Sequence, residues 1–241
     1  MPEVLPMLMA STLIAGIVQG ISGFAFAIVF LAIMQYFIPY TQLLALSSLL
    51  CIVMLAVNAF VFRKHILWKQ IPVPLVINFV VTIAAIQLLK DTMAFPYWHK
   101  LLGIVFILLS LYLYFWQQKI RIRPTLGNTL LLSSAGGILG GLFGVGGPPL
   151  VLYYLATTDS KEEYLGTTQM FFLFNNMYDF GGRFASGMVT AEILQLAFMG
   201  IGTTLLGLWI GRRIFRRIDG DMLKKIVYAV MFFDGWYMLL G

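Results

Sequence analysis

No charged residue interrupts the chain between Glu3 and Arg63, and none between Arg123 and Asp159. A membrane-crossing helix needs roughly 20 apolar residues, so each run is too long for one span and too apolar to fold in water. Composition agrees. With 60% hydrophobic and 11% charged residues, 241 residues cannot cover a soluble surface. The sequence therefore predicts an all-α, polytopic membrane helix bundle. No charged or Pro/Gly/Ser-rich linker is long enough to separate domains, so one transmembrane domain is expected.

Other classes are excluded residue by residue. The first Lys or Arg is Arg63, so the N-terminal apolar run has no basic leader and a cleaved signal peptide is not expected. Cys51 is the single cysteine, which rules out an intramolecular disulfide. With only His65 and His99 beside it, a His/Cys metal cage is not expected. The net charge of +6 reads as basic loops rather than a nucleic-acid surface. There is no H-E-x-x-H, G-x-S-x-G or Walker loop, so neither an enzyme nor a nucleotide motor is indicated, and no cofactor is expected.

The chain repeats itself. Shifted by 121 residues, "GIVQGISGF" (Gly16 to Phe24) falls on "GILGGLFGV" (Gly137 to Val145), superposing Gly16, Ile17, Gly20 and Gly23 on Gly137, Ile138, Gly141 and Gly144. At the same shift Ser47 meets Thr168 and Asn58 meets Asp179. Two repeats follow, 1–120 and 121–241. Each reads as one long apolar segment, 4–38 or 125–157, and then three spans. These lie near 41–62, 70–89 and 100–117 in the first repeat, and near 163–182, 190–211 and 222–240 in the second.

A straight helix of about 33 residues would measure roughly 50 Å, against a hydrocarbon core of about 30 Å. Each long segment must therefore cross obliquely or turn back. Loop charge arbitrates. With single crossings the Lys and Arg residues divide nine to seven between the faces. With turn-backs, the loops around 63–69, 119–123, 161 and 212–225 collect thirteen. Only Lys90, Lys100 and Arg183 remain opposite. That asymmetry is what the positive-inside rule expects. It favours inverted repeats, each opening with a broken, re-entrant Gly-rich helix.

Broken helices at matching positions of inverted repeats mark the binding site of many secondary transporters. A break within the membrane survives only in protein or beside a polar cavity. A helix N-terminus there offers free N–H groups and a positive dipole end to an anion. In "GVGGPPLVLYY", Gly144, Gly146 and Gly147 permit unusual backbone angles and close approach, and Pro148 or Pro149 can start a half-helix. The first-repeat counterpart supplies Gln19, Ser22 and Gly23. Gly16, Gly20, Gly137 and Gly141 fit close helix packing instead.

On a helix, Thr168, Asn175, Asn176, Asp179 and Arg183 fall near one face. The first repeat carries only Ser47, Ser48 and Asn58 on the matching face. Asp179 and Arg183 are candidates for coupling or gating, or else form an i,i+4 ion pair near the membrane boundary. Asp234, flanked by apolar residues, is the second coupling candidate.

"GISGFAFAIVFLAI", "GLFGVGGPPLVLYYL" and "TTQMFFLFNN" together resemble the sulfite exporter TauE/SafE family, over essentially the whole chain. The resemblance implies passage of sulfite, sulfonates or related small organic anions across the cytoplasmic membrane. It points to Gly144, Gly146, Gly147, Pro148, Thr168, Asn175 and Asn176. The expected partners are a small anionic substrate and the bilayer, with no nucleic acid; homo-oligomerisation is left open. The rival readings are a passive anion channel and a carrier of a non-sulfur carboxylate.

Overall fold

The computed structural model describes residues 4–91, 97–115 and 125–215, with Phe232, Phe233, Gly235, Trp236 and Leu239 beyond them. Among these residues the chain is helical, without strands. The first long apolar segment is two helices, α1 (Val4–Ser22) and α2 (Phe26–Met34). Then come α3 (Tyr40–Val61), two short 3-10 turns (Arg63–His65 and Trp68–Gln70), α4 (Pro72–Asp91) and α5 (Trp98–Phe115). The second long segment is α6 (Leu126–Phe143) and α7 (Gly147–Thr157), followed by α8 (Lys161–Ala185) and α9 (Ala191–Phe215). The five expected spans within the described residues fall within a few positions of these helices. The span expected over 222–240 lies almost wholly outside them, as does Asp234.

Five stretches are long and apolar enough to cross a bilayer: Val4–Ile21, Tyr40–Val61, Trp68–Asp91, Leu126–Phe143 and Ala191–Ile214. α8 is not among them, because Lys161, Glu162, Glu163, Asp179 and Arg183 dilute its hydropathy. At 25 residues it still has the length, and its polar face turns inward.

Both long segments break the same way. Gly23 has φ +84° and donates its N–H to Gln19 O at 2.8 Å. Gly144, 121 positions later, has φ +70° and donates to Gly140 O at 2.9 Å. Each is a left-handed residue closing a helix end, a conformation glycine adopts without steric cost. After the second break the chain folds back. A Cβ on Gly136 would meet Leu150, and one on Gly146 would stand 2.3 Å from Gly136 O and 3.1 Å from Gly140 Cα. α7 thus retraces the second half of α6.

Other glycines make two seams. Gly16 and Gly20 of α1 lie on Gly207 and Gly211 of α9, and Gly137 and Gly141 of α6 lie on α4 at Asn78–Val81 and Thr82–Ala85. Small residues four apart let two backbones touch, the packing expected for these positions. Each seam joins the opening helix of one half to a span of the other.

The connection carrying Arg63, Lys64 and Lys69 sits against the α7–α8 junction. Leu67 N–H donates to Thr167 Oγ1 at 2.9 Å, and Gln70 Nε2 donates to Thr157 O at 2.8 Å. Arg212, near the end of α9, reaches Asn58 near the end of α3. Arg63, Lys64, Lys69 and Arg212 therefore lie at one end of the bundle, beside the α7–α8 junction.

Candidate functional site

Between the two breaks lies a cavity with about 60 Å³ of space for the centres of water-sized molecules. That is room for several waters or one small solute. From the second half, Gly140, Gly144, Gly146, Gly147, Phe172, Asn175, Asn176 and Asp179 line it. From the first come Gln19, Phe24, Phe26, Ala27, Leu44, Ser47, Ser48, Cys51, Met54 and Leu55.

The α8 wall follows from helical spacing: Phe172, Asn175, Asn176 and Asp179 recur every three or four residues and share a face. Leu44, Ser47, Ser48, Cys51 and Leu55 do the same on α3. The walls also correspond across the 121-residue register: Cys51 with Phe172, Met54 with Asn175, and Leu55 with Asn176. The first half supplies sulfur and hydrocarbon where the second supplies amides, so the chamber is chemically one-sided.

α7 points its N-terminus at the chamber. Pro148 and Pro149 occupy its first turn and carry no N–H, so only the amides of Gly146 and Gly147 stand outside the helical ladder. Gly144 and Val145 N–H are already given to Gly140 O and Leu139 O. The two glycines differ. Gly146 is held by packing, since any Cβ there strikes backbone. A Cβ on Gly147 would meet only Phe172 and Phe24 atoms at 3.8 Å or more, an ordinary contact. Gly147→Ala therefore probes the site without prising the hairpin open; Gly146→Leu cannot.

Asp179 enters the wall already paired. Arg183, 0% exposed, donates to Asp179 Oδ1 at 3.1 Å and to Gly140 O and Gly141 O at 3.0 and 2.9 Å. Ser48 Oγ donates to Asp179 Oδ2 at 2.5 Å. Tyr40 Oη donates to Leu142 O at 2.7 Å, so the last-turn carbonyls of α6 find donors on α8 and α3. The carboxylate is thus neutralised, and an anion beside it meets no net negative wall.

The structure brings together Gln19, Ser47, Gly144, Gly146, Gly147, Asn175, Asn176 and Asp179 of the residues singled out in the sequence. Gln19 also braces the first break, accepting from Phe26 N–H at 3.0 Å and donating to Gly23 O at 2.9 Å. Asn58 is buried outside the chamber wall, bonded to Gln169 and Arg212. Thr168 is buried and does not line the chamber, and neither do Gly23 or Pro148. Arg183 stands behind Asp179. Asp234 and the side chain of Ser22 lie outside the described residues. Ser48, placed by the sequence on the same face as Ser47, is there too; reading the sequence missed Cys51, Met54 and the phenylalanines, and the three- and four-residue spacing of Cys51 and Met54 along α3 was the available signal. Among the described residues, no three His, Cys, Asp or Glu side chains are grouped to hold a metal.

Helices long and apolar enough to cross a membrane thus surround a cavity of mixed polar and apolar lining, flanked by two helix breaks. The chain belongs to the sulfite exporter TauE/SafE family, whose model matches residues 8–238, nearly its whole length. No match was found among curated proteins or solved structures.

Proposed function

We propose that the protein is a secondary transporter for a small sulfur oxyanion or sulfonate, working across the cytoplasmic membrane through two inverted, re-entrant repeats. The observation that carries the proposal is the chamber itself. A helix N-terminus with two glycine amides, the amides of Asn175 and Asn176 and the Ser47 hydroxyl surround a volume suited to one desolvated oxyanion. Asn176 Nδ2 is partly used by Phe172 O at 2.8 Å, and the Asn175 side chain also meets the Tyr178 hydroxyl, so each amide has one further N–H to offer. The ion pair behind them keeps the wall neutral, so donors rather than a bare cation hold the substrate. Such binding permits release.

Inversion is supported by the matching breaks at Gly23 and Gly144 and by the basic connections sharing one end. Membership of a sulfite-exporter family supports the substrate class. Sulfite, with four heavy atoms, is the smallest of the candidate substrates and the easiest for a cavity of this size to hold. Proteoliposomes offered labelled sulfite, taurine, sulfoacetate and a carboxylate control are expected to carry sulfite fastest. Flux that steepens with an imposed pH gradient supports proton coupling. Flux of the carboxylate alone would reject the substrate class.

A further inference from the structure

The α3–α8 seam carries two polar contacts that are images of one another. Ser48 bonds Asp179, and Asn58 Nδ2 donates to Gln169 Oε1 at 3.1 Å. In the register that aligns the halves, Ser48 corresponds to Gln169 and Asn58 to Asp179, so the same contact is made twice with the helices exchanged. From Ser48 to Asn58, and from Gln169 to Asp179, is ten residues, about 15 Å of helix. The chamber-lining residues Cys51, Met54 and Leu55 of α3, and Phe172, Asn175 and Asn176 of α8, all lie between the two contacts.

Each contact is locked by an arginine and tied to one helix break. Arg183 holds Asp179 and donates to two carbonyls in the last turn of α6. Arg212 donates to Asn58 Oδ1, while Gln169 Nε2 donates to Gly23 O at 2.7 Å. The Asn58 contact faces the end bearing Arg63 and Lys69, and the Ser48 contact faces the other end.

We propose that these are the two gates of the transport path, with Asn58, Gln169 and Arg212 closing the basic end and Ser48, Asp179 and Arg183 closing the opposite one. The proposal rests on the transporter reading above and adds a closing role: Ser48 and Asp179 also line the chamber, whereas Asn58, Gln169, Arg183 and Arg212 stand outside its wall. A solute between the contacts can leave at one end only if α3 and α8 part there, and a domain closure of this kind works when the other contact holds. The locks are unequal. Arg183 is held by a carboxylate and two carbonyls. Arg212 is held by a neutral amide, and an arriving anion offers it an opposite full charge that the amide lacks. An anion can therefore draw Arg212 off Asn58, which makes the basic end the one that opens in response to substrate.

Cys51 supplies the readout, because it is the chain's single cysteine and lies in the chamber between the gates. A small impermeant cationic methanethiosulfonate is applied to right-side-out and inside-out vesicles, with Cys51→Ser as the blank. Arg212→Gln and Gln169→Leu are expected to raise the labelling rate about tenfold from the basic end, and not from the other. Ser48→Ala is expected to raise it from the opposite end alone. Arg212→Gln leaves the seam contact intact, so it serves if Gln169→Leu does not fold. Equal increases from both ends, increases from the same end for both gates, or no change in any variant would overturn the assignment. Labelling needs no substrate, so a failure of sulfite flux would reject the function proposed above and leave this result readable.

Discussion

Gly211→Leu is expected to leave almost no folded protein, while Gly202→Leu in the same helix behaves as wild type. A Cβ on Gly211 would lie 2.2 Å from Ile17 O and 2.9 Å from Gly20 Cα, and both are backbone atoms that no rotamer change can move aside. Gly16, Gly20 and Gly207 are pressed against backbone in the same way, so the two helices must separate along the whole seam. Without a hydrophobic drive between helices in lipid, that contact is what holds α1 to α9. Overpacking of this kind exceeds the roughly 1–3 kcal/mol usual for an added side chain in a core. α1 also carries the first break, so its displacement removes one wall of the chamber. Gly202 has no heavy atom within 4 Å of a built Cβ, which makes it the control. Detergent-solubilised protein, followed by size-exclusion profile and thermal midpoint, checks the pair. A Gly211→Leu protein that melts with wild type would show that the seam does not hold the bundle.

Arg183→Leu is the second large effect, with an expected loss of about 3–5 kcal/mol. The substitution leaves the Asp179 carboxylate buried without its cation and takes the donor from Gly140 O and Gly141 O at the end of α6. Breaking one partner of a buried pair costs more than replacing both, because the survivor keeps a charge that neither water nor a partner screens. The double variant Arg183→Leu, Asp179→Leu should therefore recover most of the stability. It will not recover all of it, since the α6 carbonyls stay short of a donor. Thermal midpoints of the two singles and the double form the cycle. A single Arg183 variant as stable as the double would mean that the ion pair contributes nothing to the fold.

What could be read from the sequence divides along physical lines. The breaks were legible because glycine in a charge-free run too long for one span leaves few alternatives, and Gly23 and Gly144 both take positive φ. The α8 wall was legible because polar side chains on an apolar background mark their own face. The α3 wall was not, because Leu44, Cys51, Met54 and Leu55 look like any lipid-facing residues until the fold turns them inward. Gly146 lines the chamber as a backbone position, and its close packing on Gly136 O, which leaves no room for a side chain, has no local signal in the sequence. The reach of Arg212 to Asn58 joins residues far apart in sequence, and no local pattern announces it.

The central claim is that a small sulfur oxyanion passes through the chamber between the two breaks. The most direct test is labelled sulfite flux into proteoliposomes holding equal amounts of folded wild-type or Asn175→Leu protein. The substitution keeps size and removes an amide donor from the wall; a hydrogen bond to a charged group contributes about 1.5–3 kcal/mol, so flux should fall roughly 10- to 100-fold. Saturable wild-type flux with that loss is the result predicted. Wild-type vesicles that carry no sulfite, or Asn175→Leu vesicles that carry it as fast, would contradict the claim.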